Sequence, residues 1–248
     1  MTYNYTDISL GEFPGEISLI IYSPSCVCRC PWCFNKHLLK KKMLTYKQMK
    51  DAIDEHRKFI TAVVFTGGEP LLNPNLSKAI KYAKDVGLKI KINTNGLVAQ
   101  KRDYNWRMPW IDYLNISLKG LYNDYQNIIV EEIYDSLFIG ANITEYSFVY
   151  SPTIWPDQLL YKFKLFLSKK IASNWHETIC CNKWTRPDIF TISQMQTGDC
   201  LNPQYNDCKV PNEDECIKAA KLFSDIPRTK LIVETKEFGR KYINIKKL

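Results

Sequence analysis

Apolar runs recur along this chain at a fairly even interval, each followed by an amphipathic stretch. Residues 16–22 (Glu-Ile-Ser-Leu-Ile-Ile-Tyr) read as a first strand, mostly buried because the apolar run is nearly continuous. A helix is marked next, with Thr45 and Gln48 at capping-box spacing and Met49, Ile53, His56 and Ile60 recurring on one face. Residues 62–65 (Ala-Val-Val-Phe) form a second strand. Asn73-Pro74-Asn75 opens a second helix carrying Leu76, Ile80 and Ala83 and closed by Gly87. A third strand follows at 88–92 and a fourth at 113–118. Residues 124–139 read as a helix with Ile128, Ile129, Ile133 and Leu137 on its apolar face, and residues 143–150 as a fifth strand. Leu159, Phe163 and Phe166 mark a further helix. The sixth strand falls at either 178–182 or 189–195. A helix near 213–223, a strand-like stretch at 230–234 and a basic tail close the chain, whereas residues 1–16 are polar and turn-rich.

Strand, loop and helix repeated six times imply a parallel sheet with right-handed crossovers. Six units are too few to close an eight-fold barrel. The expected fold is therefore α/β, an open partial (β/α)6 barrel of parallel strands with a short C-terminal extension. A single domain is expected over residues 1–248, its core at about 16–195 and its extension at about 196–248. Ligands of such folds gather beyond the C-terminal ends of the strands. Four motifs fall there, one after each of the first four strands: Cys26 to Cys33, Gly67-Gly68-Glu69-Pro70, Asn93-Thr94-Asn95-Gly96 and Ser117-Leu118-Lys119-Gly120.

The first motif carries the chemistry. Cys26-Val27-Cys28-Arg29-Cys30-Pro31-Trp32-Cys33 contains a C-x-x-x-C-x-x-C triplet of Cys26, Cys30 and Cys33, and one loop of closely spaced thiolates can wrap a small iron–sulfur core. Three ligands for four irons leave one iron open. The alternative is a zinc knuckle, but zinc sites usually pair two Cys-x-x-Cys units or add His, and the nearest histidines are His37 on a basic loop and His56 on a helix. Nine cysteines, four of them in one loop, suggest metal rather than disulfides in a reducing compartment. Cys180, Cys181, Cys200, Cys208 and Cys216 raise a second cluster, against the plainer reading of small buried apolar side chains. The formal charge of +8 favours anionic partners or simply a lysine-rich surface, with Lys40-Lys41-Lys42 as the one tight cluster. No run approaches the ~18 apolar residues of a membrane span, and no signal peptide is read at the start, so a cytoplasmic location with no membrane partner is expected.

The cysteine triplet together with Gly-Gly-Glu-Pro resembles the radical S-adenosylmethionine (SAM) superfamily. The wider order also resembles the glycyl-radical-enzyme activases, those of anaerobic ribonucleotide reductase and pyruvate formate-lyase: Phe13-Pro14-Gly15-Glu16, strand, Pro-Trp-Cys-Phe-Asn, Gly-Gly-Glu-Pro, Thr-Asn-Gly, Leu-Lys-Gly. It covers about residues 11–120 well. The resemblance implies a [4Fe-4S] cluster on Cys26, Cys30 and Cys33, and SAM chelated at the open iron and cleaved by one electron to a 5′-deoxyadenosyl radical. It further implies that Trp32 lies near the adenine, that Gly67, Gly68 and Glu69 hold the methionine ammonium, and that Asn93, Thr94, Ser117 and Lys119 line the SAM site, Lys119 toward its carboxylate. Cys28 matches no ligand position. Three positions depart from the activase pattern: Phe34 replaces His, Asn93 replaces Asp, and Ser117 replaces the Asp of Asp-x-Lys. The two lost carboxylates bear on a monovalent-cation site that some activases have. The partners implied are a glycyl-radical enzyme as protein substrate and an acidic flavodoxin or ferredoxin as electron donor, docked near Lys36 and Lys40 to Lys42. A small radical SAM enzyme acting on a metabolite, like the 7-carboxy-7-deazaguanine synthases, is the other enzyme reading. A nucleic-acid-binding or electron-carrying iron–sulfur protein gives no reason for Gly67 to Pro70.

Overall fold

The computed structural model describes residues 6–97, 110–119, 122–123, 128–129, 143–173, 188–226 and 229–244. Two compact units divide them, one within Met1–Val27, Asn35–Ile116 and Gly140–Ile143, the other within Cys28–Phe34, Ser117–Ile139 and Thr144–Leu248.

In the first unit the strands run in the order β1 (Thr6–Ser9), β2 (Ser18–Ser23), β3 (Ala62–Gly67), β4 (Lys89–Thr94) and β5 (Tyr113–Ser117, of which Ser117 itself belongs to the second unit). The pairs β2–β3, β3–β4 and β4–β5 are parallel, and β1 closes the edge antiparallel to β2. Leu19, Ile21, Val63, Val64, Phe65, Ile90 and Ile92 are wholly or almost wholly buried, each contributing about 1.5–3 kcal/mol by leaving water. Helices α1 (Tyr46–His56) and α2 (Leu76–Asp85) bury Met49, Ala52 and Ile53, and Leu76, Ala79, Ile80 and Ala83. The capping box is present at α1: Gln48 N–H donates to Thr45 Oγ1 (3.2 Å) and Thr45 N–H to Gln48 Oε1 (2.9 Å). The N-terminal segment, expected to be polar and turn-rich, contains β1 and then packs onto β4 and β5. Phe13 meets Tyr113 edge-on at 5.7 Å, and the buried Lys91 donates from Nζ to Glu12 O (2.5 Å) while lying 4.7 Å from the Tyr113 ring centre.

In the second unit β8 (Ile143–Tyr150, of which Ile143 itself belongs to the first unit), β9 (Ile189–Gln194) and β10 (Lys230–Thr235) are parallel neighbours, with β11 (Gly239–Tyr242) antiparallel on β10. A two-residue ladder, β6 (Tyr122–Asn123) with β7 (Ile128–Ile129), precedes them. One face of the sheet is apolar: Phe148 lies 5.2–5.9 Å from the rings of Trp155, Phe163, Phe190 and Phe223. Helices α3 (Asp157–Ser173) and α4 (Glu213–Lys221) carry the matching apolar stripes. The other face is polar, with the fully buried Glu145 accepting from Arg240 Nη2 (2.8 Å) and Ser193 Oγ donating to Glu234 (2.9 Å).

The fold is thus α/β, with a mostly parallel sheet that does not close. Several local expectations are corrected. The sixth strand is Ile189–Gln194, and the competing stretch 178–182 lies outside the described residues. Ile128 and Ile129, read as helical, are in a ladder instead; β-branched pairs suit the extended chain. The inward stripe of α3 is Leu160, Phe163 and Leu167 rather than Leu159, Phe163 and Phe166, a rotation of about one residue. The basic tail forms β11, because Phe238 N–H bonding Thr235 Oγ1 (3.2 Å) and Gly239 at φ 63° make a hairpin turn.

Candidate functional site

The ends of β2 and β3 in the first unit are stitched together by backbone. Gly68 N–H donates to Ser23 O (2.8 Å) and Glu69 N–H to Ser25 O (2.8 Å). A Cβ on Gly68 would stand 1.9 Å from Ser25 O. One on Gly67 would stand 2.6 Å from Ser23 N, with φ already at 109°. Close approach therefore requires both glycines. Ser25 itself takes φ 69°, the sole non-glycine in that region among the described residues, and this turn leads into Cys26. Asn35, just past the last motif cysteine, donates from Nδ2 to Gly67 O (3.0 Å).

Glu69 is fully buried and serves its own chain. Oε1 accepts from Leu71 N–H (3.0 Å) and Thr94 Oγ1 (2.7 Å), and Oε2 accepts from Asn95 N–H (2.8 Å). The carboxylate thereby ties the Gly-Gly-Glu turn to the end of β4. Asn95 continues the chain of contacts, donating from Nδ2 to Cys26 Sγ (3.5 Å). Asn93 donates to Glu12 Oε2 (3.3 Å) and to Thr66 Oγ1 (3.5 Å). Its Oδ1 is buried without a hydrogen-bond partner, the one such side-chain atom among the described residues.

The second unit holds Cys30, Trp32, Cys33, Ser117 and Lys119. Cys30 is buried, and its thiol is pulled down to about 6, first by a hydrogen bond with the Cys28 side chain and further by the charge of Lys119, against the opposing effect of burial. Lys119 Nζ donates to Ser117 Oγ (2.7 Å). Trp32 is half-buried, 6.2 Å from Tyr205, and Asn202 N–H donates to Pro31 O (2.8 Å), so the loop after β9 is fastened to the cysteine loop.

No motif cysteine takes part in a disulfide. Among the described residues no three His, Cys, Asp or Glu side chains gather round a single ion. A four-iron core places each thiolate on a separate iron and requires no such convergence. The family model of the radical SAM superfamily matches residues 20–138, spanning the cysteine triplet, Gly-Gly-Glu and the ends of β4 and β5. Over those residues the chain is similar to the radical SAM superfamily. A Methanocaldococcus jannaschii protein, provisionally named a glycyl-radical enzyme activating enzyme, is 24% identical over 87% of this chain and 88% of its own length. The 7-carboxy-7-deazaguanine synthase of Hyperthermus butylicus is 26% identical over 66% of this chain and 80% of its own. Among solved structures, QueE from Escherichia coli aligns with TM-score 0.56 at 16% identity over 94% of this chain and 92% of that one. Streptococcus suis SuiB bound to SAM aligns at 0.53 and 14%, over 88% and 49%. At these identities the structural likeness is one of fold.

The superfamily's cofactors are a [4Fe-4S] cluster and SAM, and the residues present fit them. The Cys28 hydrogen bond and the Lys119 charge favour the thiolate of Cys30, the form that binds iron. The orphaned Asn93 Oδ1 is the kind of buried acceptor that a ligand donor completes. Sequence reasoning gave Asn95 and Asn35 no role beyond membership of the Thr-Asn-Gly and Pro-Trp-Cys-Phe-Asn motifs, because Asn is an ordinary residue of turns. Only their contacts, to Cys26 Sγ and Gly67 O, distinguish them. Of the remaining cysteines, Cys200 and Cys216 are fully buried and Cys208 is half-buried, while Cys180 and Cys181 lie outside the described residues. Among the described residues no helix is long and apolar enough to cross a membrane.

Proposed function

We propose that this protein is a radical SAM enzyme that installs a glycyl radical on a large partner enzyme in the cytoplasm. The cluster ligands are Cys26, Cys30 and Cys33. A [4Fe-4S] cluster held by these cysteines would supply, with SAM bound, the one-electron reductive cleavage of SAM to methionine and a radical able to take a hydrogen atom from glycine Cα. Around this chemistry the chain's own residues bind and orient. The Gly67 and Gly68 backbone, Asn93 and Thr94 serve one part of SAM, while Trp32, Ser117 and Lys119 serve adenine and carboxylate. Glu69 fixes the turn that presents them. The electron comes from an acidic flavodoxin or ferredoxin steered to Lys36 and Lys40 to Lys42, of which Lys40 and Lys42 are exposed.

The observation that carries the activase reading is the relative provisionally named a glycyl-radical enzyme activating enzyme, which matches this chain nearly end to end. The second reading, a metabolite enzyme, is favoured by the 7-carboxy-7-deazaguanine synthase match over 66% of the chain. An anaerobic mixture of the protein, SAM, a reductant and the host's glycyl-radical enzyme separates them. A stable backbone radical on the partner, with one 5′-deoxyadenosine per activation, is expected by electron paramagnetic resonance. Many turnovers on a purine-like small molecule with no partner present would overturn the activase reading and leave the metabolite reading standing.

A further inference from the structure

Asn95 has no role in the site as assigned so far, yet its side chain is placed against a motif sulfur of the first unit. It is 4% exposed, and Nδ2 lies 3.5 Å from Cys26 Sγ. The amide orientation is fixed by chemistry: Oδ1 accepts from Leu97 N–H at 2.9 Å. A flip would set the NH2 group against that N–H, donor to donor. The residue is also locked from behind. Its backbone N–H donates to the buried Glu69 Oε2 (2.8 Å), and Gly96 N–H donates to Thr94 Oγ1 (2.9 Å).

Resting on Cys26 as a cluster ligand, we infer that Asn95 is a positioning residue that donates an N–H···S hydrogen bond to the Cys26 thiolate and raises the cluster's reduction potential. A donor aimed at a ligand sulfur stabilises negative charge there, and more of it in the reduced cluster than in the oxidised one. Hydrogen bonds to the sulfurs are one of the protein's levers on iron–sulfur potentials. The Gly-Gly-Glu motif then acts on both cofactors, because Glu69 holds the backbone from which Asn95 reaches the sulfur.

The test is a redox titration of anaerobically reconstituted protein without SAM, read by the electron paramagnetic resonance signal of the reduced cluster. Asn95→Ala removes the donor. Asn95→Asp keeps an acceptor for Leu97 N–H and the side-chain shape but replaces the donor with oxygen. Leu97→Ala loosens the same loop without touching the sulfur. Each titration is normalised to its own signal, so incomplete iron loading does not distort it. The expected order of potentials is wild type and Leu97→Ala highest, then Asn95→Ala, then Asn95→Asp. The drop for Asn95→Ala should correspond to about a tenfold change in the reduction equilibrium, about 59 mV for one electron. Equal potentials in wild type and both Asn95 variants would overturn the inference, as would an equal drop in Leu97→Ala. No signal from either Asn95 variant while Leu97→Ala assembles a cluster would replace tuning by a purely structural role. A wild-type protein that assembles no four-iron cluster would refute the cluster assignment itself, a distinguishable failure.

Discussion

Glu69→Ala separates service to the fold from service to SAM. The carboxylate is fully buried and accepts from Leu71 N–H, Thr94 Oγ1 and Asn95 N–H at 2.7–3.0 Å. Truncation strands three donors out of water. Each stranded donor costs about 1–3 kcal/mol, a ceiling of roughly 3–9, and water entering the space left by the side chain recovers part of it. A loss of about 3–5 kcal/mol is expected, a large share of the about 5–15 kcal/mol by which domains are stable. Glu69→Gln keeps one acceptor oxygen but turns the other into a donor facing a donor, so about 1–3 kcal/mol is expected. The assay is urea unfolding of the metal-free protein followed by tryptophan fluorescence, with SAM affinity measured on reconstituted samples. A Glu69→Ala protein within about 1 kcal/mol of wild type that still loses SAM would refute the reasoning, since the carboxylate would then be serving the ligand and not the turn.

Gly68→Ala should cost about 1–3 kcal/mol or more by overpacking, because the added carbon meets the backbone of Ser25 and not a yielding side chain; a midpoint of urea unfolding unchanged from wild type would contradict it. Burial, with the charges of Glu215 and Glu213, pushes the Cys216 thiol up to about 11 from 9.0. The folded state therefore favours the neutral thiol: its contribution is complete below pH 9 and is lost as the pH rises from 9 toward 11, by at most about 2–3 kcal/mol. Thermal melts across that range should show the decline in wild type and a smaller one in Cys216→Ala; parallel curves would sink the argument. Reduction by an acidic donor protein should slow with salt, since the Debye length shrinks from about 10 Å at 0.1 M to about 3 Å at 1 M. Rates indifferent to salt, or to neutralising Lys40 to Lys42, would exclude docking there.

Much of the fold was legible because strands buried on both faces announce themselves as continuous apolar runs. The strand Ala62–Gly67 and the capping box at Thr45 fell where the pattern put them. The edge strands Thr6–Ser9 and Gly239–Tyr242 did not, since an edge strand bonds on one side only and needs no apolar run. The site was legible as motif positions, because glycines forced by close approach and clustered cysteines leave marks in composition. The contacts of Asn35 and Asn95 left none, as they join residues 32 and 69 positions apart. Glu69 was visible as a carboxylate in a recognised motif, but its three donors come from two separate loops and emerge only in the folded chain.

The most direct measurement is 5′-deoxyadenosine formed from SAM under a strong reductant, compared across single cysteine variants. Cys26→Ala, Cys30→Ala and Cys33→Ala should each abolish it. Cys28→Ala should retain most of it, although Cys28 hydrogen-bonds Cys30. If the wild type forms no 5′-deoxyadenosine, or if Cys28→Ala is as inactive as Cys30→Ala, then this loop does not hold the cluster in the way proposed.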